Sequence, residues 1–151
     1  MLSANFIRVL IAGALLAHGI AHAVAVIALG AQSLGGPTAS RVSVRSWLFA
    51  SLSLNTIAAV ALPFWILSTF GFLAAAMSFW GILVPGDAWR QLAIAGAIVS
   101  ILGIVLFSGI WPGSLNQPSS ILNTFVALVM NIVILDTQLW LHWPPQAMFG
   151  K

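Results

Sequence analysis

The chain of 151 residues lacks cysteine, tyrosine and glutamate, and only 5% of its residues are charged. Without cysteine it cannot form disulfides, thiolate zinc sites or iron–sulfur clusters. Because Asp87 and Asp136 are the only acidic residues, chemistry that needs several carboxylates in one chain is nearly excluded. The five basic residues are scattered and form no stripe that could follow a phosphate backbone, so nucleic acid is not an expected partner.

Apolar residues are abundant instead. They make up 61% of the chain and give a mean hydropathy of +1.09, whereas soluble domains carry about 25% charged residues. A transmembrane helix needs about 20 apolar residues, because lipid cannot hydrogen-bond to exposed backbone groups. Three segments meet this requirement, namely residues 6–31, 89–111 and 121–143. The first is longer than the apolar core of a signal peptide, about 7–15 residues, and is interpreted as a retained span.

Residues 47–84 form a longer apolar run that contains Pro63. As one straight helix it would extend about 57 Å, nearly twice the hydrocarbon thickness of a bilayer, so it must be divided. In one division, residues 64–84 span the membrane, and residues 47–62, which carry several polar side chains, lie at the interface or re-enter the bundle. In the other division, both halves span and turn at Pro63.

These two divisions give four or five spans. A turn at Pro63 would have no polar residue to place among the lipid headgroups, which favours four. The positive-inside rule favours five, because Arg41, Arg45, Arg90 and Lys151 would then share one side of the membrane. We predict an all-α, polytopic transmembrane helical bundle with four spans, and five spans are the alternative.

Two histidines in the first span are candidates for function. His18 and His22 are four residues apart, so both imidazoles lie on one helix face about one turn apart. His18 lies about 18 Å from the start of the span, near the middle of the bilayer, where polar residues usually face the bundle interior. The pair either connects helices by hydrogen bonds or binds a ligand. A shared metal ion is a third option, although zinc needs three or four ligands and only Asp136 and His142 could supplement the pair.

The last span repeats polar residues at heptad spacing. Thr124, Asn131 and Gln138 are seven residues apart, and His142 follows four residues later, so they share one face. If the first and last helices have their termini at the same surface, Asn131 lies about 18 Å deep, at the level of His18. We therefore predict contact between His18 and Asn131. The candidate ligand-binding residues are His18, His22, Asn131 and Gln138.

Asp136 points about 140° away from this polar stripe and lies about 10 Å below the same surface. An isolated carboxylate at that depth is costly, so it should have a partner or be protonated. With four spans, Arg8 and Arg90 are the nearby cations, and a structural ion pair with one of them is predicted. A proton-relay role for Asp136 is the alternative.

An arginine opens a first helix rich in glycine and alanine, later spans are joined by short loops, and the last helix contains the embedded Asn131. In this order of features the chain resembles small four-helix bacterial membrane proteins of the DoxX-like type. The resemblance implies the same bundle over most of the chain. Some members of that group are linked to quinone-coupled oxidation, but no motif of such a site matches His18 or His22.

Since no internal repeat or low-complexity tail is visible, residues 1–151 are interpreted as one domain, in a bacterial-type inner membrane.

The first functional hypothesis is a non-enzymatic bundle that serves as an accessory or structural subunit of a larger membrane complex, or that forms a homo-oligomer. Its partners would then be the lipid bilayer and other membrane subunits or copies of itself. The alternative is a membrane-embedded binding protein or enzyme that holds a quinone, lipid or pigment between the first and last helices through His18 and His22. A transporter ranks third, because there is no inverted repeat. The sequence does not identify a cofactor.

Overall fold

The computed structural model describes residues 3–35, 44–82, 87–109 and 118–145. Its long helices are α1 (Ala4–Ser33), α2 (Leu54–Phe79), α3 (Trp89–Leu106) and α4 (Pro118–Leu135), and α4 continues into a π-helical turn, Asp136–Trp140. Each of the four, with α4 taken together with its π-helical turn, is long and apolar enough to cross a membrane. The fold is a multi-pass membrane helical bundle with four spans, as predicted, and a fifth span is not needed.

Two short strands join the connections at one end of the bundle, here called the loop end. They are β1 (Arg45–Ser46), which precedes α2, and β2 (Phe107–Ser108), which follows α3, and they pair antiparallel. Beside them the indole Nε1 of Trp47 donates a hydrogen bond to the carbonyl oxygen of Val105 over 2.8 Å. Because α1 and α3 both end at the loop end, α2 must run the whole distance to the opposite end, where the N-terminus lies.

The second span begins earlier than predicted. The expected start was residue 64, but α2 begins at Leu54 and contains Pro63 in its interior. Of the predicted interfacial segment 47–62, only the part before Leu54 therefore lies outside the helix.

A side-chain cap determines this earlier start. Ser53 Oγ accepts a hydrogen bond from the backbone N–H of Thr56 over 3.2 Å and lies 2.8 Å from the Thr56 hydroxyl. Serine is a favoured N-cap because its hydroxyl satisfies an N–H that the helix leaves unpaired. A membrane helix tolerates the lost N–H of Pro63, since neighbouring helices and local adjustments compensate for it.

The core consists of two apolar clusters with buried polar residues between them. The cluster at the loop end includes Leu29, Ile57, Trp65, Phe107 and Ala127. The cluster at the N-terminal end includes Leu15, Phe72, Phe79, Trp89 and Ile134. Along each helix, buried polar residues fall between members of the two clusters, and we call this set the polar layer: His18, His22, Ser68, Thr69, Ser100 and Asn131. The layer lies near the middle of the bundle.

Candidate functional site

The two histidines occupy the middle of α1. Because the rise of an α-helix is 1.5 Å per residue, His18 lies about 21 Å along the axis from Ala4. The rings of His18 and His22 face the bundle interior, where the residues are 7% and 0% exposed. Their centroids lie 4.6 Å apart in an edge-to-face arrangement. The prediction that both imidazoles share one interior face is confirmed.

Four hydrogen bonds connect the two histidines through α3 and α4. His18 Nε2 lies 2.9 Å from Asn131 Oδ1, which is the predicted contact. Asn131 Nδ2 donates to Ser100 Oγ over 2.6 Å, and Ser100 Oγ lies 2.7 Å from His22 Nε2. His22 Nδ1 lies 3.0 Å from the carbonyl oxygen of His18. The bonds thus form a closed ring that starts at the side chain of His18 and ends at its backbone.

The backbone carbonyl determines the direction of this hydrogen-bond ring. A carbonyl only accepts, so His22 Nδ1 carries the hydrogen and donates it. A neutral imidazole has one N–H and one lone pair, so His22 Nε2 accepts from the hydroxyl of Ser100. Ser100 Oγ then accepts from the Asn131 amide, and Asn131 Oδ1 accepts from Nε2–H of His18. The bonds pair His18 Nε2, both nitrogens of His22, the Ser100 hydroxyl and both amide atoms of Asn131, which avoids the cost of burying these atoms unpaired.

The remaining helix, α2, contributes an aromatic ring. Phe72 is fully buried, and its centroid lies 4.5 Å from that of His18 and 5.4 Å from that of His22. Two glycines allow this packing. A Cβ on Gly96 would lie 3.3 Å from the Phe72 ring, and a Cβ on Gly19 would lie 3.0 Å from the side chain of Leu73. All four helices therefore meet around the histidines.

A cleft of about 220 Å³ opens between α1 and α4 beside the polar layer. The residues that line it are His18, Ala21, His22, Val24, Asn123, Val126 and Ala127. Four of them, Ala21, Val24, Asn123 and Val126, are exposed on the outer surface of the bundle. In a four-span bundle that surface faces lipid, so the cleft gives a hydrophobic molecule lateral access to the histidines.

One imidazole nitrogen of His18 takes no part in the hydrogen-bond ring. Within the described ranges, Nδ1 of His18 has no hydrogen-bond partner. It is not one of the polar atoms that are both fully buried and without a partner, so part of its surface is accessible. Since His18 lines the cleft, this nitrogen is the atom of the histidine pair that stays available to a ligand, and the exposed amide of Asn123 is the other polar group in the lining.

The same bonding pattern disfavours a metal ion shared by His18 and His22. Three of their four ring nitrogens already take part in hydrogen bonds. Among the residues that the structure describes, no group of three or more histidine, cysteine, aspartate or glutamate side chains could hold a metal ion. The pair is arranged for hydrogen bonding rather than for ligation.

Gln138 lies apart from the polar layer and contacts Arg90 at the N-terminal end of the bundle. Arg90 Nε donates to Gln138 Oε1 over 3.1 Å, and Arg90 Nη2 donates to the carbonyl oxygen of Pro144 over 3.0 Å. Gln138 Nε2 donates to the carbonyl oxygen of Trp143 over 2.8 Å. Asn131 and Gln138, predicted on one stripe, therefore belong to separate groups of hydrogen bonds, and Gln138 is not part of the histidine site.

Asp136 and Arg90 are not brought together. Asp136 begins the π-helical turn and is exposed on the outer surface. Arg90 bridges to Gln138 instead, because Gln138 is buried against the start of α3, whereas Asp136 is exposed. The pairing of Asp136 with Arg8, which is half-buried near the start of α1, stays a prediction.

Two residues of the site were missed at the level of sequence. Ser100 resembles the small residues that let helices pack closely, and Phe72 resembles ordinary core filling. A signal for Ser100 was nevertheless present, since it lies about 17 Å along α3 from Trp89. That depth is similar to the depths of His18 and Asn131 on their helices.

No protein family, no curated protein and no solved structure matches this chain. The resemblance to DoxX-like proteins stays a prediction. Inference about function therefore depends on the geometry of the polar layer and the cleft.

Proposed function

We propose that this chain is a membrane-embedded binding protein that holds a small lipid-soluble molecule in the cleft between α1 and α4. The observation that carries the proposal is the cleft itself, which opens toward lipid and is lined by His18 and His22. Intramembrane polar residues are costly and usually mark functional sites. A hydrogen-bonding group at the bottom of an apolar, lipid-facing cleft is suited to orient a hydrophobic ligand.

The size of the cleft limits what enters it. Its volume of about 220 Å³ is smaller than the 300–1,000 Å³ typical of sites that enclose a drug-sized ligand. It accommodates a head group of one ring or similar size. A longer tail would leave between the exposed Val24 and Val126 and remain among the lipid chains.

This proposal reverses the order of the two hypotheses drawn from the sequence. Hydrogen bonds that only held the helices together would need no opening beside them. Here the polar layer is sealed by Phe72 on the side of α2 and is open on the side of the cleft. The asymmetry favours a ligand at His18 over a purely structural network.

The test is retention of a ligand by purified protein in lipid nanodiscs. Organic extracts of the wild type and of two variants would be compared by mass spectrometry. Ala21→Phe places a ring into the cleft, whereas Ala17→Phe places the same ring one turn earlier on α1, at an exposed position outside the cleft. Both substitutions add equal apolar bulk, so Ala17→Phe is the matched control.

We expect one non-phospholipid molecule at a near-stoichiometric amount in the wild type and in Ala17→Phe, and its loss in Ala21→Phe. Retention of the same compounds by all three proteins, or of none by any, would contradict the proposal.

A second candidate function is association with another subunit or a second copy through α4. Two observations support it. In the most apolar part of the last span only 17% of the residues are buried, against 33–39% in the other three spans. Asp136 is exposed on the same helix. Energy transfer between labelled copies in vesicles would test self-association. Asp136→Asn should reduce the signal, while Asp87→Asn, also exposed, should not. An equal signal for both variants would argue against this role for Asp136.

A further inference from the structure

The direction of the hydrogen-bond ring determines which nitrogen of His18 carries a hydrogen. Asn131 directs its amide nitrogen toward Ser100 and its oxygen toward His18. Since that oxygen can only accept, the hydrogen of His18 lies on Nε2. In the neutral imidazole Nδ1 then carries a bare lone pair, and it is the nitrogen of His18 that no hydrogen bond occupies.

The two histidines are therefore predicted to be opposite tautomers. His22 carries its hydrogen on Nδ1, because that atom meets the carbonyl of His18. His18 carries its hydrogen on Nε2. Reversing the tautomer of His18 alone would set the lone pair of Nε2 against Asn131 Oδ1, two acceptors only 2.9 Å apart. The network thus holds Nδ1 of His18 as an acceptor.

The lining of the cleft also bears on the charge of its ligand. Among the described residues that line the cleft there is no aspartate, glutamate, lysine or arginine, and the exposed Ala21, Val24 and Val126 are apolar. An ionised head group would have no counter-charge there, and burying it unpaired costs several kcal/mol. A neutral head group suits this environment.

We propose that the cleft selects neutral amphiphiles that donate a hydrogen bond, such as an alcohol or a phenol, over molecules whose head group only accepts. The hydroxyl of the ligand donates to His18 Nδ1. Among the candidates raised by the sequence, a hydroxylated lipid can pair with the acceptor at His18, whereas an oxidised quinone, which presents only carbonyl oxygens, could pair only with the exposed amide of Asn123. This inference rests on the proposed function, since it concerns the polarity of the same cleft.

The test compares three probes of matched tail length in nanodiscs that contain the wild-type protein. They are 4-octylphenol, which donates, 4-octylanisole, in which a methyl group replaces the hydroxyl hydrogen, and 2-octyl-1,4-benzoquinone, which only accepts. Partitioning into empty nanodiscs is subtracted. One net hydrogen bond corresponds to roughly 2- to 12-fold in Kd, so the phenol should bind more tightly than the other two by about that factor.

Two variants assign the preference to the cleft and to His18. Ala21→Phe should weaken binding of all three probes, whereas Ala17→Phe should leave the wild-type preference intact. His18→Leu removes the acceptor, so the phenol and the anisole should then bind with nearly equal affinity.

A separate measurement needs no substitution in the site. In protein labelled with ¹⁵N-histidine, His18 should show a protonated Nε2 and a bare Nδ1, and His22 the opposite. His142→Gln, outside the polar layer, simplifies the spectrum.

The outcomes separate the two proposals. Binding of all three probes with equal affinity, tighter binding of the quinone or anisole, or a protonated Nδ1 on His18 would overturn the selectivity and leave the binding function standing. If none of the probes bound above the empty nanodiscs, the binding function itself would fail.

Discussion

His18 Nε2 donates a hydrogen bond to Asn131 Oδ1 over 2.9 Å, and both residues are buried in the middle of their helices. The bond connects α1 to α4, the first and last helices of the chain. Since α1 packs on α2, α2 on α3 and α3 on α4, this contact closes the bundle. It also brings the hydrogen-bond ring to the edge of the cleft, so a change at either residue should affect both stability and binding.

The coupling between these two residues can be measured. Asn131→Leu should reduce the free energy of unfolding by about 1–3 kcal/mol, because it removes the acceptor for His18 Nε2–H and the donor to Ser100 Oγ. A double-mutant cycle with His18→Leu should give a coupling of about 0.6 kcal/mol and no more than about 1.7 kcal/mol, the average and the maximum found for hydrogen bonds between membrane helices. Denaturant titration in mixed micelles provides the values. Asn123→Leu, at an exposed position of α4, should change stability much less, and an equal loss would contradict the prediction.

Two buried serines should respond differently to loss of the hydroxyl. Ser100 is 1% exposed and connects His22 with Asn131, whereas Ser68 is 0% exposed and donates to Phe64 O, four residues before it in α2. Ser100→Ala breaks two bonds between helices and should cost about 1–3 kcal/mol. Ser68→Ala breaks one bond within a helix, to a carbonyl that can keep its backbone partner, and should cost about 0.5 kcal/mol or less. Similar midpoints for both variants in a thermal unfolding assay would show that the hydrogen-bond ring adds little stability.

The close approach of α2 and α3 should make Gly71 sensitive to a single methyl group. A Cβ on Gly71 would lie 3.0 Å from the Cα of Gly96, and backbone atoms cannot rotate out of the way as side chains do. Gly71→Ala should therefore destabilise the protein by about 1–3 kcal/mol through overpacking. A Cβ on Gly13 would have no atom within 4 Å, so Gly13→Ala is the control and should be neutral or slightly stabilising. A stable Gly71→Ala protein with an unchanged thermal midpoint would contradict this packing.

Arg90 should hold the segment after α4 in place. Its guanidinium donates to Gln138 and Pro144 at the same time, and lysine, with a single ammonium group, does not reproduce that planar geometry. Arg90→Lys should raise hydrogen exchange at residues 138–145 about 5- to 30-fold, as expected for a loss of about 1–2 kcal/mol of local stability. The control is Arg45→Lys at the loop end, where the side chain is exposed. Unchanged exchange in that segment would mean that Arg90 does not anchor it.

The locations of the spans were predictable because hydropathy is a local property of the chain. The starts of three spans, at residues 6, 89 and 121, were placed within three residues of the starts of α1, α3 and α4. The second span was placed too late, because Pro63 was taken as a boundary. Pro63 and the capping residue Ser53 are both possible signals for the start of α2. Choosing between them requires the tertiary contacts that compensate for the missing N–H of an interior proline, and these contacts are not visible in the sequence.

The site was predictable only in part, and for a geometric reason. Distance along a helix axis follows from residue number at 1.5 Å per residue, so the level shared by His18 and Asn131 could be inferred. The rotation of each helix about its axis and the choice of its neighbours do not follow from residue number. This is why Arg90 was assigned to Asp136 although it bridges to Gln138, and why Ser100 was not recognised as the link between His22 and Asn131.

By itself the sequence determined that lipid surrounds this protein, that His18 and His22 share one helix face, and where along the first span they lie, and it favoured four spans over five. These follow from composition and helical periodicity, which act along one dimension. Only the tertiary structure decided that the histidines close a hydrogen-bond ring through Ser100 and Asn131, and that a cleft beside His18 opens toward lipid. Those features depend on how the four helices are rotated against one another. Side chains from three helices must meet before the direction of the hydrogen-bond ring is defined, and that direction decides which nitrogen of His18 keeps its lone pair.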